Sequence, residues 1–196
     1  MNISDLISVF YLIVSIGVIR EIIKTRKSLL DDIITPRDRR IVTQAAFFFL
    51  IPPGVLLHEL GHSFTTLLFG GKVAEFHWMI YWGYIVPKGN FTPLQNWWIS
   101  LSGNLVSVIY GLIPLIFLGK IKKPIVKELI RSFIKLEIIF SLICYPLFSF
   151  VLVGDWVEIY NFSIKPYSQI TLVIHLLLLF VLWKSGVIGE RKTAYL

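Results

Sequence analysis

Five long apolar runs, separated by short polar segments, leave this chain few ways to fold. They cover about Ile3–Ile19, Ile41–Phe69, Leu94–Leu118, Ser132–Val153 and Tyr167–Val187. Each is near or above the roughly 20 residues a helix needs to cross the hydrocarbon core of a bilayer. In lipid a backbone must satisfy its own hydrogen bonds, so runs of this kind are read as helices. Of the 196 residues, 56% are hydrophobic and only 16% are charged. A soluble domain carries roughly a quarter charged residues. The first run is the shortest, but no basic segment precedes it and no small-x-small cleavage site follows before Arg20. It is therefore expected to be a retained helix rather than a signal peptide. The expectation is an all-α polytopic membrane protein of about five transmembrane helices, forming one membrane-embedded domain over residues 1–196.

The net charge of +7 is placed in a way that excludes nucleic acid as the expected partner and points to the bilayer. Lys24, Arg26, Lys27, Arg37, Arg39 and Arg40 lie in the first connection, and Lys120, Lys122, Lys123, Lys127 and Arg131 lie at the third. Lys184, Arg191 and Lys192 follow the last span. The second connection has Lys72 and Lys88, and the fourth has Lys165. Alternate loops are basic, so the positive-inside rule puts the N-terminus outside and the C-terminus in the cytoplasm. The single cysteine, Cys144, cannot form an intrachain disulfide.

Inside the second span the chain reads His58-Glu59-Leu60-Gly61-His62. Histidines four apart share one face of a helix and can reach one metal ion, with the intervening carboxylate facing a metal-bound water. Ionisable groups inside a membrane are costly and usually functional. The bland alternative is that these side chains only hydrogen-bond between helices. Zn²⁺ with three protein ligands and an open fourth position is the expected cofactor, with Glu59 as the catalytic general base.

Topology narrows the third ligand. The second and fourth spans run in the same direction, so Asp155, just past the fourth, lies on the side of His58 and His62. Glu137 falls near the cytoplasmic start of its span and is read as too deep on the wrong side. His175, about two turns into the fifth span, stays open as an alternative ligand. His77 lies in a connection, and Glu158 follows Asp155 by about one turn. Asn104 is polar within an apolar helix, which suits either contact with a substrate carbonyl or oxyanion, or hydrogen bonding between helices.

The His58-Glu59-x-x-His62 motif on a membrane helix, with Gly70-Gly71 following and a later outward-facing Asp155, resembles the site-2 protease family of intramembrane zinc metalloproteases. The resemblance covers roughly residues 45–160. Members usually carry an Asn-x-x-Pro segment leading to Asp-Gly; here Tyr145-Pro146 precedes Gly154-Asp155-Trp156, with a longer gap and no glycine after the aspartate. Ser102-Gly103-Asn104 is similar to the family's Gly-Pro-x-x-Asn segment, with Asn104 at the proline and Ser107 at the asparagine. The resemblance implies a minimal catalytic core, about residues 41–160, without a regulatory domain. It implies a zinc-dependent endopeptidase that cuts transmembrane proteins or peptides in or near the bilayer. The rival expectation is a metal-binding adaptor or pseudo-protease without hydrolytic activity.

Two further features bear on how such a site works. Pro52-Pro53-Gly54 sits just before the histidines and predicts a kink or break at about 51–54, since proline removes a backbone donor. After the helix, residues 72–90 alternate with period two in aromatic and branched side chains, predicting an interfacial strand that turns back near Gly83. An exposed strand edge beside the metal would let an extended substrate add as a further strand; an aromatic membrane anchor is the plainer alternative.

Overall fold

The computed structural model describes residues 3–185, with side chains from Asp5 onward. The expected end of the fifth span at Val187 and the basic residues Arg191 and Lys192 lie outside the described residues. Five helical stretches are long and apolar enough to cross a membrane: Asp5–Leu29, Pro36–Leu68, Pro93–Leu118, Pro124–Leu152 and Tyr167–Ser185. Large apolar side chains such as Ile13, Phe64, Ile116, Leu147 and Leu177 face outward on all five, which is compatible with an integral membrane protein.

Helix α1 (Ile3–Leu29) runs ten residues past the expected end at Ile19. The charged residues Arg20, Glu21, Lys24, Arg26 and Lys27 are good helix formers, so leaving the apolar run does not end the helix. Helix α2 (Pro36–Ala45) starts at a capping box: Asp38 N–H donates to Thr35 Oγ1 and Thr35 N–H donates to Asp38 Oδ2, with proline at the first turn. It passes through a π-helical stretch at Ala46–Leu50 into α3 (Ile51–Leu68). Thr92 and Gln95 make the same box at the start of α4 (Pro93–Leu112), followed by a short α5 (Leu115–Leu118). Helix α6 (Pro124–Ile139) continues through a second π-helical stretch, Phe140–Cys144, into α7 (Tyr145–Leu152). The short α8 (Asp155–Ile159) and the last span α9 (Tyr167–Ser185) complete the described chain.

The expected break at residues 51–54 is instead a change of helical pitch. Pro52 has no N–H for the carbonyl of Phe48, four residues earlier, and the Tyr81 hydroxyl donates to that carbonyl at 3.0 Å. Ile51 N–H bonds back five residues to Ala46 O, which closes the π turn. Pro146 repeats the arrangement. Tyr145 N–H reaches back five residues to Phe140 O, and the carbonyl that Pro146 leaves free, Leu142 O, is bonded by His175 Nε2 at 2.7 Å. The carbonyls freed by Pro52 and Pro146 are thus each bonded by a side chain from another element, as an apolar surrounding requires.

The expected interfacial strand is present as an antiparallel hairpin of β1 (Lys72–Trp78) and β2 (Gly83–Lys88). A bulge at Ala74 interrupts the register between Val73↔Pro87 and Glu75↔Val86. The hairpin tip is held by Tyr81, whose ring packs against Tyr11, Phe47 and Phe48. A small core of Ala46, Ile51 and Phe133 lies where the second, third and fourth spans meet, with Tyr110 and Leu129 against it.

Candidate metal centre

Close packing of α3 on α4 sets the site. A Cβ added to Gly61 would lie 3.0 Å from both Ser102 O and Val106 Cγ2, and one added to Gly103 would overlap the His62 ring. Glycine at both positions lets the two backbones approach until α4 can orient the histidines. The His62 ring nitrogen Nδ1 lies 2.6 Å from Ile99 O. A carbonyl only accepts, so Nδ1 carries the hydrogen and, in the neutral ring, Nε2 presents its lone pair. His58 Nδ1 pairs with Ser107 Oγ at 3.1 Å, which turns its Nε2 the same way.

Asp155 arrives from the other direction. Helix α7 ends at Val153 in the left-handed region, φ 57° and ψ 60°. A branched residue there holds about 1–3 kcal/mol of strain. The reversal sends Gly154 N–H back to Ser149 O at 2.9 Å and opens α8 on Asp155. Helix α8 is docked on α4 by two indole hydrogen bonds, Trp156 Nε1 to Asn104 Oδ1 at 2.9 Å and Trp97 Nε1 to Ile159 O at 3.0 Å.

Three donor atoms converge as a result. His58 Nε2 and His62 Nε2 are 2.9 Å apart, and each is 3.1 Å from Asp155 Oδ2. Two imidazole nitrogens and a carboxylate oxygen converge on one point, and His58, His62 and Asp155 could hold a metal ion there. The Tyr145 hydroxyl donates to Asp155 Oδ2 at 2.7 Å, and the Tyr145 ring meets His58 edge-on.

Glu59 stands beside the triad and outside it. It is buried, and it lines a cavity of about 250 Å³ together with His58, Asn104, Tyr145, Glu137 and Trp82. Gly83 at the start of β2 lies against it: a Cβ there would be 2.9 Å from Glu59 Cγ, so the hairpin reaches the cavity only because this position is glycine.

The remaining sequence candidates sort plainly. His175 is not part of the triad. Its Nε2 must carry a hydrogen for Leu142 O, and its Nδ1 pairs with the Tyr160 hydroxyl. His77 lies 3.6 Å from Asp5 at the start of α1. Glu158 is one turn along α8 from Asp155 and joins no metal-ligating group among the described residues. Asn104 donates through its amide nitrogen to Ser100 O of its own helix at 3.1 Å and to Asp155 Oδ2 at 3.4 Å, and its Oδ1 accepts from Trp156, so it ties α4 to α8 beside the aspartate. Glu137 joins no metal-ligating group among the described residues, yet it lines the same cavity as Glu59.

Tyr145 and Ser107 contact the triad and were not singled out as site residues in the sequence. Ser107 had a legible signal. It shares one face of α4 with Gly103, Asn104 and Gly111, a run of small or polar residues in an apolar helix, and all four are buried. Comparison of the chain with protein-family models, with curated proteins and with solved structures found no match in any of the three.

Proposed function

We propose that this protein is a zinc-dependent endopeptidase of the membrane, similar in chemistry to the site-2 proteases, acting on peptide bonds in or near the bilayer segment of other membrane proteins. The observation that carries this reading is the convergence of His58, His62 and Asp155 within one set of contacts, with Glu59 beside them in the same cavity. In a tetrahedral site with metal–ligand bonds of about 2.0–2.1 Å, donor atoms stand roughly 3.3 Å apart. The separations of 2.9 and 3.1 Å here are close to that. Two histidines and a carboxylate are an ordinary donor set for zinc with one position open. When bound, Zn²⁺ supplies Lewis acidity, which acidifies water and polarises a scissile carbonyl.

The protein residues supply the rest. Ile99 O fixes the His62 tautomer, while Tyr145 and Asn104 hold Asp155 in place. Glu59 accepts the proton of the attacking water and returns it to the departing amine, so the acid and the base are one carboxyl used twice. The cavity walls, with Ile51, Val55, Phe148 and Leu152 among them, limit the water that reaches the reacting bond. The hairpin runs from Glu59 to the protein surface, and its unpaired edges offer main-chain hydrogen bonds to an unwound substrate segment.

Glu59→Gln tests the reading. Glutamine keeps the shape and loses the proton acceptor. Zinc content, measured by elemental analysis of the purified protein, is expected to stay at the native level. Cleavage of a membrane peptide is expected to fall about 10²–10⁴-fold. A Glu59→Gln protein that fully replaces the native chain in the cell would assign the role to a metal-binding adaptor instead.

A further inference from the structure

Glu137 sits in α6 with its side chain buried, 3% exposed, on the wall of the cavity that holds Glu59. Space for it is built into both neighbouring helices. A Cβ at Gly111 of α4 would be 2.8 Å from Glu137 Cγ, and one at Gly54 of α3 would be 3.2 Å from Oε1. One carboxyl oxygen, Oε1, accepts from Ser141 at 3.4 Å. The other, Oε2, is buried and has no hydrogen-bond partner among the described residues.

Apart from Ser141, the hydroxyls around the cavity are committed elsewhere. Ser107 pairs with His58, Tyr81 donates to Phe48 O, Tyr110 to Leu50 O, and Tyr145 to Asp155. A buried polar atom without a partner is costly, and an ionisable group at membrane depth usually marks a functional site. A second cation is not the occupant that the residues suit, because Glu137 joins no group of three metal-ligating side chains among the described residues. A hydrogen-bond donor suits it.

The position of Glu137 says which donor. Gly54, beside its carboxyl, lies four residues before His58 on α3, about 6 Å along the axis at 1.5 Å per residue. An extended peptide advances about 3.3 Å per residue. A substrate segment that lies along α3 with its scissile bond at the triad presents a side chain to Glu137 about two residues away, toward the N-terminal end of α3.

We propose that Glu137 is a specificity-determining residue, whose Oε2 accepts a hydrogen bond from a polar side chain of the substrate about two residues from the scissile bond. The substrate class is then an otherwise apolar transmembrane segment that carries a hydroxyl, amide or amine at that place. This rests on the peptidase reading given above.

The test uses Leu/Ala transmembrane peptides with one guest residue, Asn or Leu, scanned along the segment. Binding is measured to the purified Glu59→Gln protein, with and without Glu137→Leu, and cleavage sites are mapped with the native protein. Asn guests at the favoured position are expected to bind about tenfold more tightly than Leu guests. Glu137→Leu is expected to bring that ratio within twofold while zinc content stays native. Should Glu137→Leu not accumulate, Glu137→Gln is expected to lower the ratio at least threefold. A ratio near one with Glu137 present, or a ratio that survives Glu137→Leu, overturns the inference, even if the peptides are cut. If no peptide is cut but the Glu137-dependent ratio holds, the recognition site stands and it is the peptidase reading that falls.

Discussion

At the residue scale, the site is a problem of aiming lone pairs. His62 is aimed by a backbone carbonyl, His58 by a serine hydroxyl, and Asp155 by a tyrosine hydroxyl and an asparagine amide. Each partner lies on an element other than that of the residue it orients, so the candidate metal site depends on packing as much as on which residues line it. Asp155→Ala is expected to abolish zinc retention, as His58→Ala and His62→Ala are, because two remaining ligands hold a tetrahedral ion poorly against water. Elemental analysis after gel filtration reads this directly, and a stoichiometric zinc content in Asp155→Ala would remove it from the ligand set. The motif around His58 and His62 was legible because a four-residue spacing has one meaning on a helix. Tyr145 was not legible as a contact of Asp155, because ten residues and a left-handed turn at Val153 separate the two in sequence.

At the scale of elements, a proline-freed carbonyl explains why a third histidine is buried yet lies outside the His58, His62 and Asp155 group. Pro146 frees Leu142 O, His175 donates to it, and Tyr160 secures the other ring nitrogen. His175→Ala is expected to leave zinc content unchanged and to lower stability by about 1 kcal/mol, the scale of an interhelical hydrogen bond within a membrane. Thermal or denaturant unfolding in detergent measures the second effect. Loss of the metal with an unchanged midpoint would make His175 a ligand after all. The hairpin followed from its period-two pattern, and its turn at residues 79–82 lies where Gly83 suggested. Its insertion between α1 and the cavity did not follow, since it depends on Tyr81 reaching the carbonyl that Pro52 leaves free.

Across the whole molecule, polar contacts gather at two poles. Glu21 near the end of α1 meets Arg37 and Arg40 at the start of α2, and Arg39 meets Glu128 at the start of α6. Such exposed pairs contribute little energy, yet they show that the basic first and third connections share one end of the bundle. His77 on the hairpin meets Asp5 at the other end. With the positive-inside rule, reporters fused after Ile34 and after Lys123 are expected to read as cytoplasmic, and those after Lys88 and Lys165 as external. A cytoplasmic signal from the Lys88 fusion would invert the orientation and put the candidate metal site nearer the opposite face of the membrane.

What the sequence determined by itself is whatever depends on spacing along one element. Hydropathy over about 20 residues located the five spans, period two located the hairpin, and the interval of four put His58 and His62 on one face. Only the tertiary structure decided how far one span is offset from the next. Depth counted along its own helix put Glu137 beyond the site, whereas Gly54 and Gly111 bring α3 and α4 up to its carboxyl and into a shared cavity. The same holds for Asp155 against His175. Both are polar groups beside apolar spans, and what separates them is that one is turned toward the histidines at Val153 while the other is held by a carbonyl that a proline left free. Offsets and freed carbonyls arise from contacts between helices, and no periodicity within a single helix records them.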